Sequence, residues 1–166
     1  MTHDRFVVVP ASYVFLLRPA EDGSEEVLLQ LRQGTGFMDD HWAAGAAGHV
    51  ERGETAYDAA HREALEELGL TDLELHFELT MQRTGSGEPI DERVDFFFTC
   101  WSWSGEPEVQ EPHRSAGLRW CRLDALDDLP QPVVPHERRA LAAIGTGTTY
   151  LTHGFDHDPD HRGASA

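Results

Sequence analysis

The chain has 166 residues, with 30 acidic against 13 basic side chains and a formal net charge of −17 at pH 7. Every basic residue is arginine, so lysine Schiff-base chemistry and the lysine-containing phosphate loop are both excluded. The acid surplus repels polymeric nucleic acid and anionic membranes, and a phosphate compound would need a divalent cation between the two sets of negative charge. With 40% hydrophobic residues the chain can bury one core, which predicts a single domain over 1–150 and a polar, mobile tail over 151–166. Cys100 and Cys121 are far apart in sequence, which speaks against a disulfide framework or a structural zinc and for a reducing, cytoplasmic setting. The apolar run 6–17 contains Pro10, lacks a preceding basic cluster and alternates like a strand, so it reads as neither a signal peptide nor a membrane span.

In chain order, 6–18 and 26–33 read as a strand pair joined by a turn at Glu21, Asp22, Gly23 and Ser24. The Ala- and Gly-rich stretch 34–47 reads as loop. Residues 55–68 read as one helix, with Thr55 and Asp58 as a capping box and Gly69 as the stop. Strands are expected at 73–83, 93–103 and 117–123, separated by polar loops at 84–92 and 104–115. Pro130, Pro132 and Pro135 lead into a last helix over 136–144. His153, His157 and His161 recur at four-residue intervals among Asp156, Asp158 and Asp160, but Gly154 and Pro159 break any helix there, so a polar tail is the better reading. Strands, a strong helix, more strands and a terminal helix suggest a mixed sheet covered by helices, an α/β fold.

The densest information lies between Gly48 and Leu70. On a helix, Glu63, Glu66 and Glu67 stand at i, i+3 and i+4 and share one face, where like charges destabilise an isolated helix. Tyr57, His61, Ala64, Leu65 and Leu68 form the stripe expected to pack on the sheet. Three carboxylates at that spacing suit Mg²⁺ or Mn²⁺, which prefer oxygen ligands. Arg62 points about 100° away from Glu63 and can reach back to Glu54, fastening the loop to the helix by a charge-assisted pair. Gly48 and Gly53 flank a sharp turn, where a glycine carbonyl can approach a metal closely.

These residues follow the pattern G-x5-E-x7-R-E-U-x-E-E-x-G-U, where U is a bulky aliphatic residue: Gly48, Glu54, Arg62, Glu63, Glu66, Glu67, Gly69 and Leu70 match, with the small Ala64 at the first U. The chain therefore resembles the Nudix hydrolase family, as a small bacterial member of the MutT-like kind, over about 6–146. Upstream, Trp42 and Gly48 keep the ends of a W-x-x-P-G-G-like approach, but Ala46 and Ala47 stand where proline and glycine are commoner. The resemblance implies an α/β/α sandwich with a mixed sheet. It also implies hydrolysis of a nucleoside diphosphate linked to another moiety, in the presence of Mg²⁺ or Mn²⁺.

Carried over by position, Glu63, Glu66, Glu67 and the Gly48 carbonyl would hold the metal, with Glu54 and Arg62 completing the catalytic set. The proton acceptor for the attacking water is either a box glutamate, then Glu63, or an acid outside the box among Glu88, Asp91, Glu92 and Asp95. Of these, Glu92 is favoured as base or supporting ligand because it sits where a loop meets a strand. Arg32 is a candidate phosphate contact, and Trp42, Trp101, Trp103, Trp120 and residues Phe96, Phe97 and Phe98 include candidate base-stacking partners. The expected partner is a small nucleotide such as a nucleoside triphosphate, an oxidised nucleotide or an ADP-ribose-like compound. Neither nucleic acid polymer nor membrane is expected, and a homodimer is compatible with the family. The alternatives are a catalytically silent nucleotide sensor, which commonly loses box acids that are all present here, and an isoprenoid diphosphate isomerase, whose active-site cysteine has no clear counterpart.

Overall fold

Alternation along the first strand sets the architecture. In the computed structural model, which describes residues 5–155, β1 runs from Val9 to Pro19. Tyr13, Phe15 and Leu17 point to one face of the sheet and Val14 and Leu16 to the other, and all five are buried. A strand buried on both faces lies at the centre of a sheet that needs a cover on each side. Two packed clusters supply the covers. Tyr13, Phe15 and Leu17 pack with Ala140 and Leu141 of α2 (Pro135–Ala143), whereas Val14 and Leu16 pack with Ala60, Ala64 and Leu68 of α1 (Ala56–Leu68). The expected α/β/α sandwich is thus the observed one.

Among the described residues the mixed sheet has eight strands. β1 pairs antiparallel with β2 (Glu25–Arg32) near its end and with β4 (Ala46–His49) near its start. Its other edge runs parallel to β6 (Arg93–Cys100), followed by β5 (Leu75–Arg83) and β8 (Tyr150–His153). β2 pairs with β3 (Trp42–Ala44) and β7 (Ser115–Arg122). Short 3₁₀ turns occupy Pro89–Asp91 and Leu123–Asp128.

Four elements depart from the sequence reading. β3 and β4 lie in the stretch expected as loop. Their alanines carry no β-branched signal, yet their small side chains let α1 and the sheet approach. β8 crosses the boundary placed at residue 150, with its Leu151 opposite Met81 of β5. The rest of the expected tail, including Asp156, His157, Asp158, Asp160 and His161, lies outside the described residues. α1 also turns a different stripe inward: Ala59, Ala60, Ala64 and Leu68 are buried, whereas Tyr57 and Leu65 are about half exposed, at 47% and 53%. Alanines bring the helix close to β1 and β4, and a tyrosine or leucine at those positions would hold it away. No helix of the described residues is long and apolar enough to cross a membrane.

Candidate functional site

The end of β4, the turn after it and α1 together position the box residues. Thr55 caps α1 as expected: its Oγ1 accepts from the Asp58 N–H (3.1 Å), and the Asp58 carboxylate accepts from the Thr55 N–H (3.0 Å). Gly69 ends the helix at φ 71°, a left-handed conformation that favours glycine. The Ser12 hydroxyl donates to the Ala56 carbonyl (2.6 Å), tying the helix start to β1.

Arg62 forms the expected clasp and extends it. Its Nε and Nη2 donate to the two oxygens of Glu54 (2.6 and 3.1 Å), and Nη2 also reaches the His49 carbonyl (3.0 Å). Nη1 donates to Glu63 Oε1 (2.7 Å) and Glu66 Oε2 (3.3 Å). One guanidinium therefore joins the loop acid, the β4 end and two helix acids. Glu67 points elsewhere. Its Oε2 accepts from the Ala47 N–H (3.0 Å) and from Gln30 Nε2 (3.2 Å), so it leans against β4.

Burial pushes the Glu67 carboxyl up to about 8, with the neighbouring Glu63 charge adding to the shift. Burial also raises Glu63, against the pull of Arg62. Glu66 is the most open of the three, with 55% of its side chain exposed. The three acids thus share a helical face but do not converge. Among the described residues, no three His, Cys, Asp or Glu side chains stand together at metal-holding spacing. The donor chemistry nevertheless fits a hard cation. The ligands on offer are all oxygens, the buried Glu67 is held by the Ala47 N–H and Gln30 with Arg114 acting on it only through space, and a Cβ at residue 48 would overlap the Glu63 carboxylate, so only glycine lets the two meet.

Gly48 and Glu67 line a cavity of about 270 Å³. The same cavity is lined by Arg32, Arg83, Arg93 and Arg114, four of the thirteen arginines in a strongly acidic chain. Arg32 is thus a cavity residue, with Nε donating to the Phe37 carbonyl (2.9 Å) and Nη2 to Thr35 Oγ1 (2.9 Å). The aromatic lining comes from Phe37 and Tyr13. The tryptophans considered for stacking stand apart from this lining. Trp42 is 7% exposed, and Trp103 stacks on Trp120 (centroids 6.1 Å apart) beneath the Arg18 guanidinium. Phe97 and Phe98 are core.

The acids outside the box divide likewise. Glu92 is not among the cavity-lining residues and accepts from the Thr84 hydroxyl (2.7 Å). Asp91 lines the cavity and accepts from Ser86. Asp95 is fully buried and paired with Arg83, with Arg93 Nε 3.8 Å from its other oxygen; burial raises it while both arginines pull it down.

Sequence reasoning missed His136 and Glu137, both 3% exposed and both in the lining. Glu137 Oε2 accepts from the Ala44 N–H (2.5 Å), and burial pushes its carboxyl up to about 7. His136 Nε2 lies 3.3 Å from the Tyr13 hydroxyl, and burial holds the ring well below its ordinary value and hence neutral. Their signal was present in the helical spacing: residues 136, 137, 140 and 141 form one stripe, which puts two polar residues where α2 faces the sheet.

A model of the NUDIX domain family matches residues 9–144. Similar solved structures include a MutT NUDIX hydrolase from Burkholderia pseudomallei, 26% identical with a TM-score of 0.70 over 83% of this chain and 98% of that one. The NUDIX domain of Shewanella oneidensis NrtR, solved with ADP ribose, is 14% identical with a TM-score of 0.64 over 86% and 90%. A C. elegans Ap4A hydrolase, solved as a binary complex, is 23% identical with a TM-score of 0.58 over 84% and 96%. The last two likenesses show the fold alone. No curated protein matches the sequence.

Proposed function

The chain belongs to the Nudix family, and from that premise we propose that it is a divalent-metal-dependent hydrolase that cleaves the diphosphate linkage of a small nucleotide. The observation that carries this reading is the shared cavity: Gly48 and Glu67 of the box face the same space as four arginines. The arginines suit an anionic substrate, and the buried, proton-hungry Glu67 suits a cation. Glu63, Glu66, Glu67 and the Gly48 carbonyl would hold Mg²⁺ or Mn²⁺. When bound, the ion would neutralise phosphate oxygens and acidify a coordinated water.

The protein's own groups then have distinct tasks. Arg62 and Glu54 fasten the turn to α1 and keep Gly48 against the helix acids. Glu63 is the box carboxylate assigned to accept the proton of the attacking water, because Arg62 Nη1 (2.7 Å) and the bare backbone of Gly48 fix its place at the loop end. Glu92, held by Thr84 and outside the cavity lining, has no assigned part. The residues lining the rest of the cavity would meet the substrate.

Nucleoside triphosphates, oxidised nucleotides, ADP-ribose and dinucleoside polyphosphates form the test panel. Each is incubated with Mg²⁺ and followed for phosphate, pyrophosphate or nucleotide release. At least one compound is expected to turn over, and EDTA is expected to abolish the reaction. Binding without turnover across the panel would instead establish the second reading, a nucleotide sensor. Turnover that survives EDTA would contradict the metal assignment.

A further inference from the structure

We propose that Arg83 and Arg93, held by the buried carboxylate of Asp95, form an anion subsite of the cavity that takes a phosphoryl group directly, with Asp95 as its positioning residue. The substrate side of this proposal rests on the hydrolase reading, but the subsite itself does not require it.

Strand register builds the unit. Across neighbouring strands, Asp95 of β6 stands beside Ala11 of β1, which stands beside His49 of β4, and Met81 of β5 lies on the far side of Asp95. One step along, Arg93 of β6 is opposite Arg83 of β5. Residues two apart on a strand share a face, so Arg93 and Asp95 point with Tyr13 toward the α2 side, as does Arg83. Ala11 is small, so the space above it stays open, and Ala11, Tyr13, His49, Arg83 and Arg93 line that space.

The hydrogen-bond inventory shows why these arginines are more than a structural ion pair. Asp95 takes the Nε of Arg83, and Arg83 Nη2 donates to the Tyr13 hydroxyl (3.3 Å). Arg93 Nη1 meets His49 Nε2 (3.0 Å) and the Ile90 carbonyl (3.5 Å). A guanidinium carries five N–H donors, so described contacts leave most of both forks unspent. Among the described residues, the buried Arg93 Nε has no hydrogen-bond partner. Two cations thus share one carboxylate, and both side chains retain access to the cavity, at 12% and 13% exposure. Guanidinium forks paired with a buried carboxylate match phosphate geometry, and part of their rotamer entropy is already spent. The fold also concentrates positive charge here although the chain as a whole carries −17.

Two measurements test the proposal. The first is calorimetric titration of inorganic pyrophosphate in EDTA, where no metal can mediate. Wild type is expected to bind, and Asp95→Asn to lose about tenfold or more in affinity, the scale of a charge-assisted contact. The second is kinetic, on the best panel substrate: Asp95→Asn should raise KM about tenfold while kcat stays within about threefold. Removing one partner of a buried pair can unfold a chain, so Arg83→Gln and the double variant Asp95→Asn/Arg83→Gln are measured beside it. If Asp95 acts through Arg83, the double variant will bind pyrophosphate no more weakly than Arg83→Gln alone. Wild-type pyrophosphate affinity in Asp95→Asn and in the double variant would overturn the proposal. So would a wild type that fails to bind pyrophosphate in EDTA. Loss of binding in the variants of a chain that turns over no substrate would uphold the subsite while rejecting the hydrolase reading.

Discussion

The single hydrogen of Gly48 is what lets the Glu63 carboxylate lie against the β4 backbone. Gly48→Ala would push that carboxylate aside. A glutamate end group swings easily, so the variant should stay folded, with melting temperature within a few degrees of wild type, while turnover falls by roughly tenfold to a hundredfold through misplacement of a reacting group. Equal turnover in the two proteins would separate Glu63 from catalysis. Glu67→Gln should keep the hydrogen bond from the Ala47 N–H, and with it the fold, yet lose Mg²⁺-dependent hydrolysis by about a hundredfold or more because a neutral amide is a poor ligand for a hard cation. At this scale the sequence was highly informative. Box spacing singled out Gly48, Glu54, Arg62, Glu63, Glu66 and Glu67 as candidates, and the reach of Arg62 back to Glu54, expected from helical geometry, is present in the structure. Spacing did not show that Arg62 also holds Glu63 and Glu66, or that Glu67 turns away toward β4. Those choices depend on neighbours contributed by other strands.

α1 owes its position to its ends as much as to its buried face. Thr55→Ala removes the capping box and should cost about 1 kcal/mol of stability, read as a shift in urea midpoint at unchanged slope. An unshifted midpoint would mean that packing on β1 and β4 alone fixes the helix start. Capping residues, a glycine stop and periodic apolar positions are local signals, which is why α1, α2 and the long strands were legible. β3, β4 and β8 were not. β3 and β4 are Ala- and Gly-rich and become strands only because β2 and β1 offer them edges. β8 is four residues long and exists by pairing with β5. The orientation of α1 was misread at Tyr57 and Leu65 for a related reason. Side-chain size suggested burial there, whereas close helix–sheet packing selects alanine.

Across the whole molecule, the cavity gathers residues from distant parts of the chain: Arg32 from β2, Arg83 and Arg93 from β5 and β6, Arg114 from the segment before β7, and Glu137 from α2. No local pattern announces such a set. Only inward-facing polar positions hint at it, Asp95 sharing a strand face with Phe97 and Glu137 sharing a stripe with Ala140 and Leu141. Burying these groups makes stability depend on pH. Glu67 is raised to about 8 and Glu137 to about 7, from 4.5. Between about pH 5 and pH 8 the folded chain therefore holds protons that the unfolded chain has released, and stability falls as pH rises. His136, lowered by burial, works with the opposite sign below its ordinary 6.5, so the fall should be clearest from there upward. In EDTA, urea midpoints should decline across this range, and Glu137→Gln should flatten the part below about pH 7. A profile identical to wild type would show that Glu137 ionises freely in the fold. The central claim, that the box carboxylates hold a divalent cation, is tested most directly by titrating Mn²⁺ into the protein at pH 8 and reading free Mn²⁺ by electron paramagnetic resonance. Saturable binding is predicted for wild type, weakening as pH falls and protons compete for Glu67, and loss of that binding is predicted for Glu67→Gln. Equal Mn²⁺ binding by the two proteins would contradict the account.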